Sequence, residues 1–301
     1  MKTLRRLPRR QRLSGQSFNR ILPNLMTLLG LCIGLSSIRL GLEGRYGMAV
    51  LAIAVSGVID GLDGRLARLL KATSRFGAEF DSLADFLCFG IAPALLLYMW
   101  SLQPWGALGF LPPLMYASAM ALRLARFNAA LDSAPKAAFS YNFFTGVPAP
   151  AGALLALFPL FVGLAAAEHG QIWLQEFVSY PLFTSLTLAT VAVLCVSTLP
   201  IWSFKNFKIP AFLVLPLLLG VVVFAALIFA DPYLAGALAG LIYIIMLPFS
   251  ARSYQRLARA ARLRRAAAEA DADQAGHPLV CGPEQPLPDE MGSDEMGKES
   301  P

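Results

Sequence analysis

The sequence predicts an all-α fold: a polytopic integral membrane protein of about eight transmembrane helices. Three observations carry this expectation. Apolar runs near 22–42, 46–69, 78–100, 106–130, 148–167, 180–200, 210–230 and 233–251 each approach the roughly 20 residues that cross the hydrocarbon core. Charged residues make up only 15% of the chain, against about 25% in soluble domains, and mean hydropathy is +0.59. Basic residues also alternate between successive connections, as the positive-inside rule requires.

The elements follow in order. Residues 1–21 form a basic arm, with seven Lys/Arg and no acidic residue in the first twenty. No small-residue cleavage site follows, so the first apolar run reads as a retained span. Residues 22–251 form the transmembrane catalytic domain. With the arm cytoplasmic, the inner connections carry Lys71 and Arg75, Lys136, Lys205 and Lys208, and the Arg-rich segment after Ser250. The outer ones carry Glu43 and Arg45, then Glu168 and Glu176, then Asp231. Both termini therefore lie on the cytoplasmic side, in a membrane expected to be a bacterial inner membrane. The Pro112–Pro113 pair marks a kink or a span start.

Residues 252–266 read as a basic helical segment suited to anionic lipid headgroups. Residues 267–301 hold nine of the 19 acidic residues and few aliphatics, so they read as a disordered acidic tail. The net charge of +6 thus understates a strongly basic face turned to membrane lipids, and no nucleic-acid partner is expected. Cys32, Cys88, Cys195 and Cys281 form no C-x-x-C pair, and His169 and His277 are far apart, which argues against zinc and a disulfide framework.

Charged residues inside apolar spans are costly and call for a function. Almost all of them fall in the second span, ending VIDGLDGRLARLLKATSRFG, and the third, beginning AEFDSLADFLCFG. Asp60, Asp63, Gly64, Ala67 and Arg68 share one helical face, and so do Gly77, Asp81 and Asp85. The short basic link makes the two helices antiparallel neighbours, so four carboxylates and one arginine converge at their cytoplasmic ends. Four such carboxylates cannot all ionise without counter-charge. Two divalent cations supply it, and oxygen-only ligands favour Mg²⁺ or Mn²⁺ over zinc. Two such ions form a clamp for displacement at phosphorus. Gly64 and Gly77 leave room for a nucleotide, and Arg68 suits phosphate oxygens. The competing readings are a buried ion-pair network that includes Arg65 and Arg75, and a proton or cation pathway. Ion pairs add little net stability. A transporter would also need a polar path, yet MAVLAIAVSGVI before Asp60 and ALLLYMW after Pro93 are apolar.

The complete string, D-x2-D-G-x2-A-R-x8-G-x3-D-x3-D from Asp60 to Asp85, resembles the signature of the CDP-alcohol phosphatidyltransferase family. The resemblance implies a six-helix catalytic core, CDP-diacylglycerol as donor, release of CMP, and a homodimer. It implies Asp60, Asp63, Asp81 and Asp85 as metal ligands, with Asp85 also the general base on the alcohol. Gly64, Ala67, Arg68 and Gly77 would line the CDP-diacylglycerol site, and Asn24 and Thr27 share a helical face that would reach it. Segments LPNLMTLLGL at 22–31, GAEFDSLADFLCFGIAPA at 77–94, LRLARFNAA at 122–130, FTGVPAPAGA at 144–153 and STLPIWSFK at 197–205 resemble the phosphatidylserine synthase branch. The acceptor is then L-serine, whose carboxylate and ammonium need an opposite charge each. Arg123, Arg126 and Lys205 are the candidate cations, with Arg126 the expected carboxylate partner. Glu79 is the candidate anion, and Asn128 would hydrogen-bond either end. The same chemistry on glycerol 3-phosphate or inositol phosphate is the alternative, for which a denser basic cluster is expected.

Overall fold

The structure is a computed structural model that describes residues 18–131, 143–197, 200–202 and 211–250. The basic arm up to residue 17, the segments 252–266 and 267–301, and Lys136, Lys205 and Lys208 lie outside the described residues.

Helix α1, Phe18–Leu42, and helix α2, Tyr46–Leu69, form a close antiparallel pair. Glycine makes the approach possible. A Cβ on Gly34 would collide with Cys88 Sγ and lie 3.1 Å from Ser56 Oγ, and one on Gly30 would lie 3.2 Å from Ile59. Small residues at such positions are the usual device of membrane helices, where lipid supplies no hydrophobic drive to associate. Helix α2 ends in a Schellman turn: Ala72 N donates to Ala67 O and Lys71 N to Arg68 O, with Lys71 in the left-handed region at φ 49°.

Helix α3 then starts at Ser74, whose hydroxyl accepts from Gly77 N at 3.0 Å and so caps the first turn. The helical run continues over Arg75–Gly109, through a second π turn at Tyr98–Leu102 and a tighter 3-10 turn at Gln103–Trp105 that ends at Gly106, φ 56°. Immediately after Asp85 the winding loosens to a π-helical turn over Phe86–Ile91. Pro93, four residues beyond Phe89, has no N–H to give to the Phe89 carbonyl. The Tyr116 hydroxyl of the next helix donates to Phe89 O instead, at 2.7 Å. A backbone acceptor that would be orphaned in the membrane is thereby satisfied.

Helix α4, Leu111–Leu131, begins at the Pro112–Pro113 pair, which therefore marks a helix start. Two bent pairs follow: α5, Ala149–Ala156, with α6, Phe158–Glu168, at 47°, and α7, Ile172–Ser179, with α8, Pro181–Val196, at 57°. Helix α9 spans Ala211–Ala230 and α10 spans Pro232–Ser250. The face of α10 toward the protein is set by Gly236, which receives the Phe161 ring, and Gly240, which receives Phe158. Tyr243 and Leu247 continue that face and pack on the core. One addition to the all-α expectation is a two-stranded antiparallel ribbon, β1, Phe143–Thr145, with β2, Pro200–Trp202. It pairs residues from two of the segments singled out above, FTGVPAPAGA and STLPIWSFK, whose strands satisfy each other's backbone groups.

Four helical runs are long and apolar enough to cross a membrane: Ile21–Leu42, Tyr46–Leu69, Arg75–Gly109 and Pro232–Ser250. The count reaches six if each bent pair is one crossing. Helices α4 and α9 stand where the other two of the eight expected spans would be. Length and apolarity do not confirm them as crossings: α4 carries Arg123, Arg126 and Asn128 near its end, and the described apolar part of α9 is only Val214–Ala230.

Candidate active site

The site is built at the end of the bundle where α1 begins, α2 ends and α3 begins. Ligand oxygens of Asp60, Asp63 and Asp81 lie within 4.8 Å of one another. Asp85 adjoins them, its carboxyl in hydrogen-bonding contact with that of Asp60. The helical spacing in the sequence brings all four together as expected.

Each carboxylate is held differently. Asp63 is 4% exposed and accepts a 2.7 Å hydrogen bond from the Thr27 hydroxyl, which also leans on Pro23 O at 3.2 Å. Thr27 therefore ties α1 to α2 through the site itself. Asp81 has one oxygen, Oδ1, that is buried and without a hydrogen-bond partner. A buried carboxylate oxygen with no donor is costly and needs a ligand. Mg²⁺ holds oxygens at about 2.0–2.1 Å, so three oxygens this close reach a common ion with small side-chain rotations. The acidic cluster thus fits a divalent cation in donor chemistry and in spacing.

Beside the carboxylates lies a cavity of about 180 Å³, lined among others by Asn24, Thr27, Asp63, Gly64, Ala67 and Gly77. The two glycines differ. Gly64 faces open space, where a Cβ would meet nothing within 4 Å. Gly77 faces Asn24, whose Oδ1 would lie 2.9 Å from a Cβ there. Gly77 is small because α1 comes close, and Gly64 leaves the cavity wall bare. Arg68 is exposed, with Nε donating to the carbonyl of the cavity-lining Gly64 at 3.0 Å.

The candidate acceptor residues separate. Arg123 is half-buried, with Nε donating to Val147 O, and it lies within electrostatic reach of Asp85. Its Nη1 is buried without a partner. Arg126 is exposed and donates from Nη1 to Val196 O at 2.8 Å and from Nη2 to Ser197 O at 3.3 Å. Those bonds fasten α4 to the end of α8. Asn128 Nδ2 donates to Ser82 Oγ at 3.0 Å and so fastens α4 to α3. Glu79 is exposed and stands two residues from Asp81, hence on the opposite side of α3. The sequence reading passed over Ser82, Ser74, Tyr116 and Tyr243. Tyr243 carries the one signal that was available, a hydroxyl in the middle of an otherwise apolar helix.

A family model described as CDP-alcohol phosphatidyltransferase matches residues 20–181, and one described as CDP-alcohol phosphatidyltransferase 2 matches residues 213–248. Among curated proteins, the CDP-diacylglycerol–serine O-phosphatidyltransferase of Mycobacterium tuberculosis (strain ATCC 25618 / H37Rv) is 38% identical over 241 residues, 79% of this chain and 81% of that protein. The protein of the same name from Mycobacterium bovis is 37% identical with the same coverage. That from Helicobacter pylori (strain ATCC 700392 / 26695) is 34% identical over 212 residues, 70% of this chain and 83% of its own.

Proposed function

This chain belongs to the CDP-alcohol phosphatidyltransferase family, and we propose that it transfers the phosphatidyl group of CDP-diacylglycerol to L-serine, forming phosphatidylserine and releasing CMP. The observation that carries the reading is the convergence of Asp60, Asp63 and Asp81 beside a cavity walled by Gly64 and Gly77. The names of the relatives support serine as the acceptor.

In this reading Asp60, Asp63, Asp81 and Asp85 hold two divalent cations, Mg²⁺ or Mn²⁺, whose contribution when bound is to offset the charge of the diphosphate. Gly64, Ala67 and Gly77 admit the nucleotide diphosphate between α2 and α3. Asn24 and Thr27 border the same cavity, and Thr27 fixes the Asp63 carboxylate. Arg68 takes phosphate oxygens. Asp85 accepts the proton of the serine hydroxyl as that oxygen bonds to the β-phosphorus and the bond to CMP breaks. Arg123, near Asp85 and with a free buried donor, takes the serine carboxylate in preference to Arg126, whose donors are engaged by backbone carbonyls. Eight spans, with the site and both termini on the cytoplasmic side of a bacterial inner membrane, complete the reading. The homodimer rests on the family resemblance.

The test is purified protein in lipid nanodiscs given CDP-diacylglycerol and labelled serine, glycerol 3-phosphate or inositol phosphate, followed by lipid chromatography. Phosphatidylserine and stoichiometric CMP are expected, with all turnover lost in EDTA and restored by Mg²⁺ or Mn²⁺. Product from glycerol 3-phosphate and none from serine would overturn the acceptor while leaving the transfer chemistry in place.

A further inference from the structure

Two buried hydrogen-bond donors have no partner among the described residues: Arg123 Nη1 on α4 and Tyr243 Oη on α10. Arg123 and Tyr243 lie within electrostatic reach of each other, with Cys195 of α8 in the field of both. Arg123 is in turn within reach of Asp85, the proposed base. Unsatisfied polar groups in a bundle interior cost free energy unless something accepts from them. One absent acceptor would satisfy both donors.

The way each group is held points to a prepared subsite. The Val147 carbonyl takes Arg123 Nε, which anchors the guanidinium and leaves Nη1 over. Tyr243 is aimed inward by its own helix, since it continues the face on which Gly236 and Gly240 seat Phe161 and Phe158. The other buried tyrosine of this region, Tyr116, is committed to Phe89 O. Tyr243 is therefore the hydroxyl left available, and it lies in the separate family match at residues 213–248.

We propose that Tyr243 is a specificity residue of the acceptor site, donating with Arg123 to the carboxylate of the amino-acid alcohol while its hydroxyl faces Asp85. The inference rests on the transferase reading above and deepens it by bringing α10 into the site. A carboxylate accepts from both donors through its two oxygens. Both orphans are thereby satisfied by the one group that distinguishes serine from a simple amino alcohol.

The test is steady-state kinetics of Tyr243→Phe in nanodiscs, with L-serine as acceptor and serinamide, which lacks the carboxylate, as a competitor. Loss of a hydrogen bond to a charged group should raise the KM for serine about tenfold or more. The KM for CDP-diacylglycerol and the inhibition constant of serinamide should stay within about twofold. Arg123→Lys and the double variant complete a cycle, in which the double variant should raise the serine KM by less than the product of the two single effects. An unchanged serine KM in Tyr243→Phe, a parallel rise for both substrates, or strictly multiplicative effects would overturn the proposal. A wild-type protein that uses glycerol 3-phosphate and never serine would overturn the underlying acceptor reading and the proposal with it, and wild-type kinetics alone show that.

Discussion

The two ends of the helical bundle differ in how many of their polar groups find partners within the fold. At the end where α1 closes on α2, Arg39 bonds Glu43 at 2.8 Å and Arg45 approaches the other Glu43 oxygen at 3.6 Å. Tyr46 Oη donates to Met99 O, Ser101 Oγ to Ser179 O, and the Ser101 and Thr184 hydroxyls meet at 3.0 Å. Asp231 caps α10 by accepting from Leu234 N at 2.9 Å and faces His169 Nε2 at 3.7 Å. At the other end, four carboxylates crowd together, and Asp81 Oδ1 and Arg123 Nη1 are buried without partners. Most of the polar groups at the first end pair within the fold, although Asp231 Oδ2 is buried with only His169 near it at 3.7 Å, whereas at the second end a carboxylate oxygen and a guanidinium donor stay open in the site proposed to take an ion and a substrate.

The contrast is sharpest at Asp81. Asp81→Asn removes one oxygen ligand from the cluster and should cost several kcal/mol of transition-state stabilisation, about 10³-fold in turnover, with CDP-diacylglycerol binding also weakened. Turnover and donor binding measured together check this. Asp85→Asn comes next. It keeps the size of the side chain and removes the proton acceptor, so turnover should fall about 10²-fold or more while donor binding survives. Equal damage to binding in the two variants would erase the distinction between ligand and base. Gly34→Ala tests the packing beneath the site. Its methyl would press on Cys88 Sγ, and overpacking of this kind costs about 1–3 kcal/mol, seen as a lower Tm of the solubilised protein with a partial loss of activity. The smallest effect belongs to the opposite end. Asp231→Asn loosens a half-exposed pair and should change stability by no more than about 1 kcal/mol, with turnover unaltered. A large loss of turnover there would break the comparison between the ends.

How much of this was legible in the sequence depends on the range of the interaction. Asp60, Asp63, Asp81 and Asp85 were readable because helical periodicity is local, and a link of a few residues forces α2 and α3 together. Asn24 and Thr27 were readable as one face of α1, though not that Thr27 would bond Asp63 or that Asn24 would lie against Gly77. The choice between Arg123 and Arg126 was not readable. Three residues apart on one helix, they differ only in what α8 and the segment at Val147 present to them, and that is set by tertiary packing. Four of the expected spans, and up to six, are matched by helices long and apolar enough to cross, the third running on to Gly109, yet the bends at Leu157 and Tyr180 follow from Pro159 and Pro181 in context, as α10 and α3 each keep a proline without so sharp a break. The strand pair of β1 and β2 escaped notice because it joins segments more than fifty residues apart.

The hydrogen bond from Tyr116 to Phe89 has a consequence beyond the repair of an idle carbonyl. Asp85 lies one turn before Phe89 on α3, and Arg123 lies two turns after Tyr116 on the antiparallel α4. Along the helix axes these are offsets of about 6 and about 10 Å in the same direction. The bond thus acts as a pin through two rulers laid head to tail, fixing Asp85, the proposed base, against Arg123, the proposed carboxylate partner. An acceptor is gauged by the span between its hydroxyl and its acid group, and the gauge is set two turns deeper than the molecule it measures.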